Sequence, residues 1–374
     1  MKLKVLKRPA AALPPLYASW VDGLLGGPIP AETGATCDDC AMCNSSRNSP
    51  GDNSLFFNPR TKCCTYLPWL ANFLVGRVLA DDLSILDDAA AHGRRTVEKR
   101  IDEGNAVSPL AVGIPKNYTL VYQHNRDYFG HADQMRCPHY VEEGGRCGVW
   151  RHRNSVCATW FCKHVRGAVG QQFWRTLLQL LRMVERQLAV WCVLELDPGA
   201  AALTALLDPM RMEVENHGLS DLTRSSPRYA DAWGRWLGKE REFYRQCAKL
   251  VNPLSWREVM RLCGQEVRAF AAQTREAYRR LLSDEMPDSL SVGKLDVVGL
   301  GNESVRLCSY IGTDPVELPR ELFDALSQFN GRPRKDAMNS IAERHGLELD
   351  DELLRGLVDF KVLVPATAAP ATVA

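Results

Sequence analysis

Nine of the thirteen cysteines fall between Cys37 and Cys162, and thiolate sulfur is a donor that zinc and iron–sulfur clusters favour and that calcium and magnesium do not. Cys37, Cys40 and Cys43 recur at intervals of three, a spacing that lets a tight loop turn successive thiolates towards one centre. Three ligands leave one position open. The vicinal pair Cys63 and Cys64 follows about twenty residues later. Adjacent side chains diverge, so one of the pair is expected to complete that centre while the other ligates elsewhere or packs. A second array comprises Cys137, Cys147, Cys157 and Cys162, with Gly144, Gly145 and Gly148 supplying the freedom to bend the chain around a metal. These nine are the expected metal ligands. They suffice for two four-cysteine centres, and one centre plus structural cysteines fits as well. The expected cofactor is an iron–sulfur cluster of the 4Fe-4S type, with zinc as the alternative.

Other side chains near the second array compete for a role. His131, His139, His152 and His164 are candidates for a mixed cysteine and histidine zinc site, although a lone histidine is more often a hydrogen-bonded one. Arg151, Arg153, Lys163 and Arg166 make the array locally basic, which would lower thiol pKa values or balance an anionic cluster; a solvated face reads equally well. Asp38 and Asp39 sit among the ligand candidates without forming a general acid and base pair. Gly23 to Gly27 reads as a turn before Pro28, and there is no Walker loop, dinucleotide-type glycine fingerprint or serine elbow.

Composition bounds the setting. A chain of 374 residues with 45% hydrophobic and 24% charged residues has ample material for two or three packed domains. Its formal net charge of +1 provides no global pull towards nucleic acid or a membrane surface. Proline interrupts the first residues at Pro9, Pro14 and Pro15, so no signal peptide is expected, and no apolar run is long enough to span a bilayer. The expected location is cytoplasmic, where thiols stay reduced. The odd number of cysteines agrees, since a full set of disulfides would leave one thiol unpaired.

The elements that must position these thiols are mainly helical. Phe173, Leu177, Leu180, Leu181, Val184 and Leu188 share one helical face between Ala168 and Pro198, and a second long helix is expected from Pro253 to about Leu282. Gly199 to Arg228 reads as looser chain with a short helix, and Trp233 to Tyr244 as another helical run. Cys192, Cys247, Cys263 and Cys308 stand among apolar neighbours and are expected in the core. After Gly293, strands at residues 294–300 and 304–310 precede three helices, containing Leu322 to Leu326, Lys335 to Arg344 and Leu353 to Val358, and a last strand at Val362 to Val364. The fold class is thus mainly α (α+β). Residues 1–29 form an extension, 30–167 a cysteine-cluster metal-binding domain, 168–290 a helical domain, 291–366 a small winged-helix-like domain, and 367–374 a disordered tail.

The cysteine pattern resembles the zinc- or iron-chelating cysteine-cluster family that includes the flagellin lysine N-methylases. The resemblance runs over parts of residues 37–162: Cys37, Cys40 and Cys43, then Cys63 and Cys64, then Cys137-Pro138, Gly145, Cys147, Trp150, Arg153 and Cys157. It implies metal binding. The closing strands and helices resemble, in element order rather than motif, winged-helix domains that recognise precursor peptides in ribosomal-peptide biosynthesis, with a partner strand added at a sheet edge near Val305 to Ser309. As an enzyme, the protein is expected to modify a protein or peptide held by the end domain in a redox or methyl-transfer step. The alternative is a zinc-stapled protein- or peptide-binding adaptor without catalysis, and metal sensing or storage is a third reading.

Overall fold

The computed structural model describes residues 13–37, 40–43, 57–82, 84, 86–207 and 219–366. Asp38, Asp39 and the expected tail at 367–374 lie outside them. The chain forms two compact units, one built from residues up to Trp160 and from Thr176 to Arg275, the other from Phe161–Arg175 and from Glu276 onward.

In the first unit, α1 (Pro15–Leu25) opens with proline, whose missing N–H and fixed φ suit a first helical position, and ends at Gly26 with φ +65°. Gly23 therefore lies inside a helix rather than in the expected turn. It has no side chain because α1 crosses close to another helix there: a Cβ would sit 3.0 Å from Trp256. Tyr17, Trp20, Val21 and Leu24 face inward. A small antiparallel sheet of β1 (Leu70–Ala71), β2 (Val107–Ser108) and β3 (Ala111–Val112), with β3 in the middle, adjoins α2 (Asn72–Ala80) and α3 (Asp88–Glu103). Asp87 caps α3 by accepting from the Ala90 N–H. Then come α4 (Lys116–His124), the hairpin β4 (Tyr140–Val141) and β5 (Arg146–Cys147), and α5 (Ser155–Thr159).

The expected helix from Ala168 to Pro198 is α6 (Gly167–Leu196), which passes from the second unit into the first. After it come α7 (Ala200–Leu207), α8 (Pro227–Trp233) and α9 (Glu240–Val251). In place of one helix from Pro253 there are two, α10 (Trp256–Leu262) and α11 (Gly264–Leu282). The break is at Gly264, whose φ of +72° suits a residue without Cβ. Cys192, Cys247, Cys263 and Cys308 are all buried, as expected. Among the described residues no helix is long and apolar enough to cross a membrane.

The second unit places two three-stranded antiparallel sheets around one core. β6 (Ser289–Val292) is central between β10 (Asn330–Pro333) and β11 (Leu363–Pro365), and β8 (Ser304–Cys308) is central between β7 (Asp296–Leu300) and β9 (Val316–Pro319). The helices α12 (Arg320–Ala325), α13 (Arg334–His345) and α14 (Asp351–Asp359) bring Leu322, Ile341, Leu354 and Leu357 onto Leu290, Leu307 and Phe329. Because β8 is paired on both sides, the open edge expected near Val305 to Ser309 is not there. The outer strands of that sheet are β7 and β9.

Candidate metal centre

Eight of the nine candidate cysteines gather in one neighbourhood of the first unit, and the chain holds them there through backbone bonds. The Cys43 N–H donates to the Cys40 carbonyl at 2.9 Å and the Phe57 N–H to the Met42 carbonyl at 2.7 Å, while the Cys137 N–H donates to the Cys64 carbonyl at 2.8 Å. That last bond joins the two arrays. Lys62 sits between them in a left-handed conformation, φ +51°, which costs a non-glycine residue about 1 kcal/mol. Its ammonium donates to the Cys37 carbonyl at 2.5 Å and to the Gly145 carbonyl at 3.1 Å.

The second array is carried by the β4–β5 hairpin, which pairs Tyr140 with Cys147 and turns through Gly144 and Gly145 at φ +75° and +59°. Gly148 is glycine for another reason. It lies against Gly93 of α3, where a Cβ on Gly148 would come within 2.6 Å of the Gly93 Cα and a Cβ on Gly93 within 2.1 Å of the Gly148 carbonyl oxygen. Cys157 enters on α5, whose cap, Asn154, accepts from the Cys157 N–H at 3.1 Å.

The thiols feel one another. Cys63 is raised by the hydrogen bond it donates to Cys64, then by burial and by the charges of Cys64 and Cys40. For Cys64 that same bond lowers the pKa, but burial and the charges of Cys137, Cys147 and Cys157 outweigh it and the net shift is upward. The adjacent pair does not diverge as expected: the two thiols hydrogen-bond to each other, and the charge of Cys63 acts on Cys37 of the first array and on Cys137, Cys147 and Cys157 of the second. Burial pushes Cys137 up to about 12 and Cys147 up to about 11, and raises Cys157, with neighbouring cysteines adding to each. Cys37 is exposed as a residue, yet desolvation of its thiol and the charge of Cys63 bring it to about 11. Cys40 moves the other way, to about 6, because the Cys43 thiol and then the Met42 and Cys43 backbone N–H groups donate to its sulfur against the desolvation. Cys43, as the donor of that pair, is raised.

Backbone N–H groups reach three of these sulfurs from two residues further along the chain: Met42 to Cys40, His139 to Cys137 and Val149 to Cys147. Such bonds favour thiolate. A buried cation completes the surroundings. Arg153 is 6% exposed, its guanidinium lies 3.4 Å from the Trp150 ring centroid, and its own downward shift by burial is opposed by Cys147, Cys157, Cys37 and Cys63. Of the basic residues expected to surround the array, Arg153 does so. Lys163 and Arg166 belong to the second unit and pair there with Asp314 and Asp359. Cys162 is also in that unit, where its carbonyl accepts from the Thr313 hydroxyl at 2.9 Å.

The histidines divide by their partners. His152 Nδ1 accepts from Arg77 and its Nε2 therefore carries the proton it shares with Asp81 at 2.8 Å, so both nitrogens are engaged. His164 Nδ1 faces the Tyr310 hydroxyl at 3.3 Å. His139 differs. The Thr96 hydroxyl donates its proton to the Gly93 carbonyl at 2.7 Å, which leaves Thr96 oxygen to accept from His139 Nδ1–H, also at 2.7 Å. His139 is fully buried and its pKa falls to about 3 through desolvation, Arg100 and His92. It is thus neutral, and its Nε2 lone pair has no hydrogen-bond partner among the described residues.

The donor set fits a thiophilic metal in kind: eight sulfurs, backbone donors to several of them, and a buried arginine to offset anionic charge. Among the described residues, no three histidine, cysteine or acidic side chains stand at a spacing that would hold an ion as they are placed. Lys62 and Glu185, the latter behind α5, escaped the sequence reading. For Lys62 the signal was its position immediately before the cysteine pair; for Glu185, inside a helical repeat, there was none. No protein-family model, curated protein or solved structure matches this chain.

Proposed function

We propose that the first unit binds an iron–sulfur cluster through cysteines among Cys37, Cys40, Cys43, Cys63, Cys64, Cys137, Cys147 and Cys157, and that the protein uses it to modify a protein or peptide substrate by a redox or methyl-transfer step. The observation that carries this reading is the convergence of eight thiols within electrostatic and hydrogen-bonding reach of one another around a buried arginine. Without a metal most of these sulfurs are neutral thiols, whereas ionising several of them together needs a cation beside them, and a bound metal inverts the local pKa logic. The resemblance of the cysteine pattern to the cysteine-cluster family supports the metal-binding part of this reading. When bound, such a cluster supplies an electron or a Lewis-acidic iron. This chain's residues hold it, and Arg153 and Lys62 place positive charge beside it. Zinc held by the same sulfurs, in an adaptor without catalysis, is the rival.

The test is purification without oxygen followed by metal and acid-labile sulfide analysis. Brown protein containing iron and sulfide is the expected result, and Cys64→Ser or Cys157→Ser should each lower the iron content. Colourless protein with tightly held zinc would sink the redox reading.

A further inference from the structure

Beside the cysteine centre, within the same unit, α5 and α6 help to wall a cavity of about 130 Å³ whose lining includes Tyr66, Trp69, Ser155, Arg182, Glu185 and Arg186. This is several times the volume one ordered water needs. Two features distinguish it from a packing gap. Its inner wall is polar and buried, with Ser155 fully covered and Glu185 1% exposed. Arg182 and Arg186, both exposed, stand one helical turn apart on α6, a spacing at which like charges repel. Neither forms a hydrogen bond or ion pair with a described residue. Arg182 is near enough to act on Tyr66 and Glu185, but the Glu185 carboxylate is already taken up, accepting from the Tyr17 hydroxyl and from the Ser155 N–H and hydroxyl. Among the described residues, then, no carboxylate pairs with the positive charge at the mouth.

A guanidinium matches a carboxylate with two parallel N–H···O bonds, and Tyr66 and Trp69 offer a flat organic body aromatic surface to lie against. We propose that this cavity binds a small organic carboxylate, held by Arg182 and Arg186. Ser155 and Val156 of the wall precede Cys157 on α5, so the occupant lies within about one helical turn of a cysteine of the centre. Its role as a substrate of that centre rests on the proposed function; its binding does not.

The experiment is isothermal titration of the full chain with benzoate, benzamide and inorganic phosphate. Benzoate is expected to bind at least about tenfold more tightly than benzamide, because only the carboxylate makes charge-assisted bonds. The double variant R182Q/R186Q is expected to lose about tenfold or more of the benzoate affinity, with metal content and melting temperature unchanged. Equal binding of benzoate and benzamide, unchanged affinity in the double variant, phosphate binding where benzoate does not, or no binding at all would each overturn the assignment. Since binding and metal content are read separately, protein that takes benzoate but holds no iron removes the proposed function and leaves this site standing.

Discussion

The cysteines of the first unit differ in what they are ready to do. Cys40 and Cys43 share a proton, and the sulfur that receives backbone N–H bonds is Cys40, so the charge settles there. With a pKa of about 6, Cys40 is mostly thiolate at pH 7, whereas Cys147 at about 11 and Cys137 at about 12 are protonated. Thiolate is the reactive form. Metal-free protein treated with iodoacetamide at pH 7 should therefore be alkylated first at Cys40, with a rate that falls as pH drops through about 6, as followed by peptide mass spectrometry. Earlier alkylation of Cys137 or Cys147 would show that the charge is placed elsewhere. Arg153 and Lys62 act on the centre as charge rather than as ligands. His139 brings a neutral, lone-pair-bearing nitrogen two residues beyond Cys137.

At the level of elements, Glu185 connects three helices. From α6 it accepts hydrogen bonds from Tyr17 on α1 and from Ser155 at the start of α5, so it helps to place the turn that carries Cys157. Burial raises its pKa to about 7 from an ordinary 4.5, against the lowering effect of its hydrogen bonds. The folded state then binds more protons than the unfolded state between those values, and stability declines as pH rises from about 4.5 to about 7, by about 3 kcal/mol for this group, and levels off above. Urea unfolding between pH 4.5 and 7.5 should show that decline, and Glu185→Gln should flatten it, since an amide does not titrate. An identical pH slope in the variant would remove Glu185 as its source. The hairpin has its own constraint. The contact of Gly148 with Gly93 sets β4 and β5 against α3, while Arg60 and Arg136 both reach Glu142 on the hairpin turn at 2.9 Å. Those exposed pairs contribute little stability, so the close backbone approach does more to position Cys147.

On the scale of the whole molecule, the second unit is assembled from two separated stretches of chain. Arg166, just before α6, donates to both carboxylate oxygens of Asp359 on α14 and to the Leu281 carbonyl, and Phe173 packs on Tyr278 at 5.8 Å. A cut near residue 290 thus removes most of a folded unit and leaves residues 161–175 and 276–290 of it behind, rather than removing a separable domain. A chain ending at residue 290 should melt at least about 5 °C lower than the full chain, given the lost charge-assisted bonds, and should bind a hydrophobic dye through newly exposed apolar surface. An unchanged melting temperature would show that residues 161–175 and 276–290 hold their structure without the residues that follow.

Local pattern alone determined a good deal of this protein. The helix on Phe173, Leu177, Leu181 and Val184 was legible because a buried stripe imposes its period on the sequence, and the burial of Cys192, Cys247, Cys263 and Cys308 followed from their apolar neighbours. The strands β7 and β8 were legible from the turn residues Gly301 and Asn302 between two apolar runs, although β7 proves mostly exposed, and the helices α13 and α14 from their buried positions. The four-residue strands β6, β9 and β10 were not, because so few residues carry too little periodicity to stand out from turns, and the split at Gly264 was masked by apolar spacing that continues across it. The cysteine spacings marked out eight residues that now stand together, but only tertiary structure brought Cys64 to Cys137, put Arg153 and Lys62 beside them and left Cys162 in another unit. Those facts depend on contacts between residues far apart in the chain, as does the cavity of Glu185, Arg182 and Arg186. A chemical type can be read one residue at a time, whereas a neighbourhood exists only once the backbone has closed on itself.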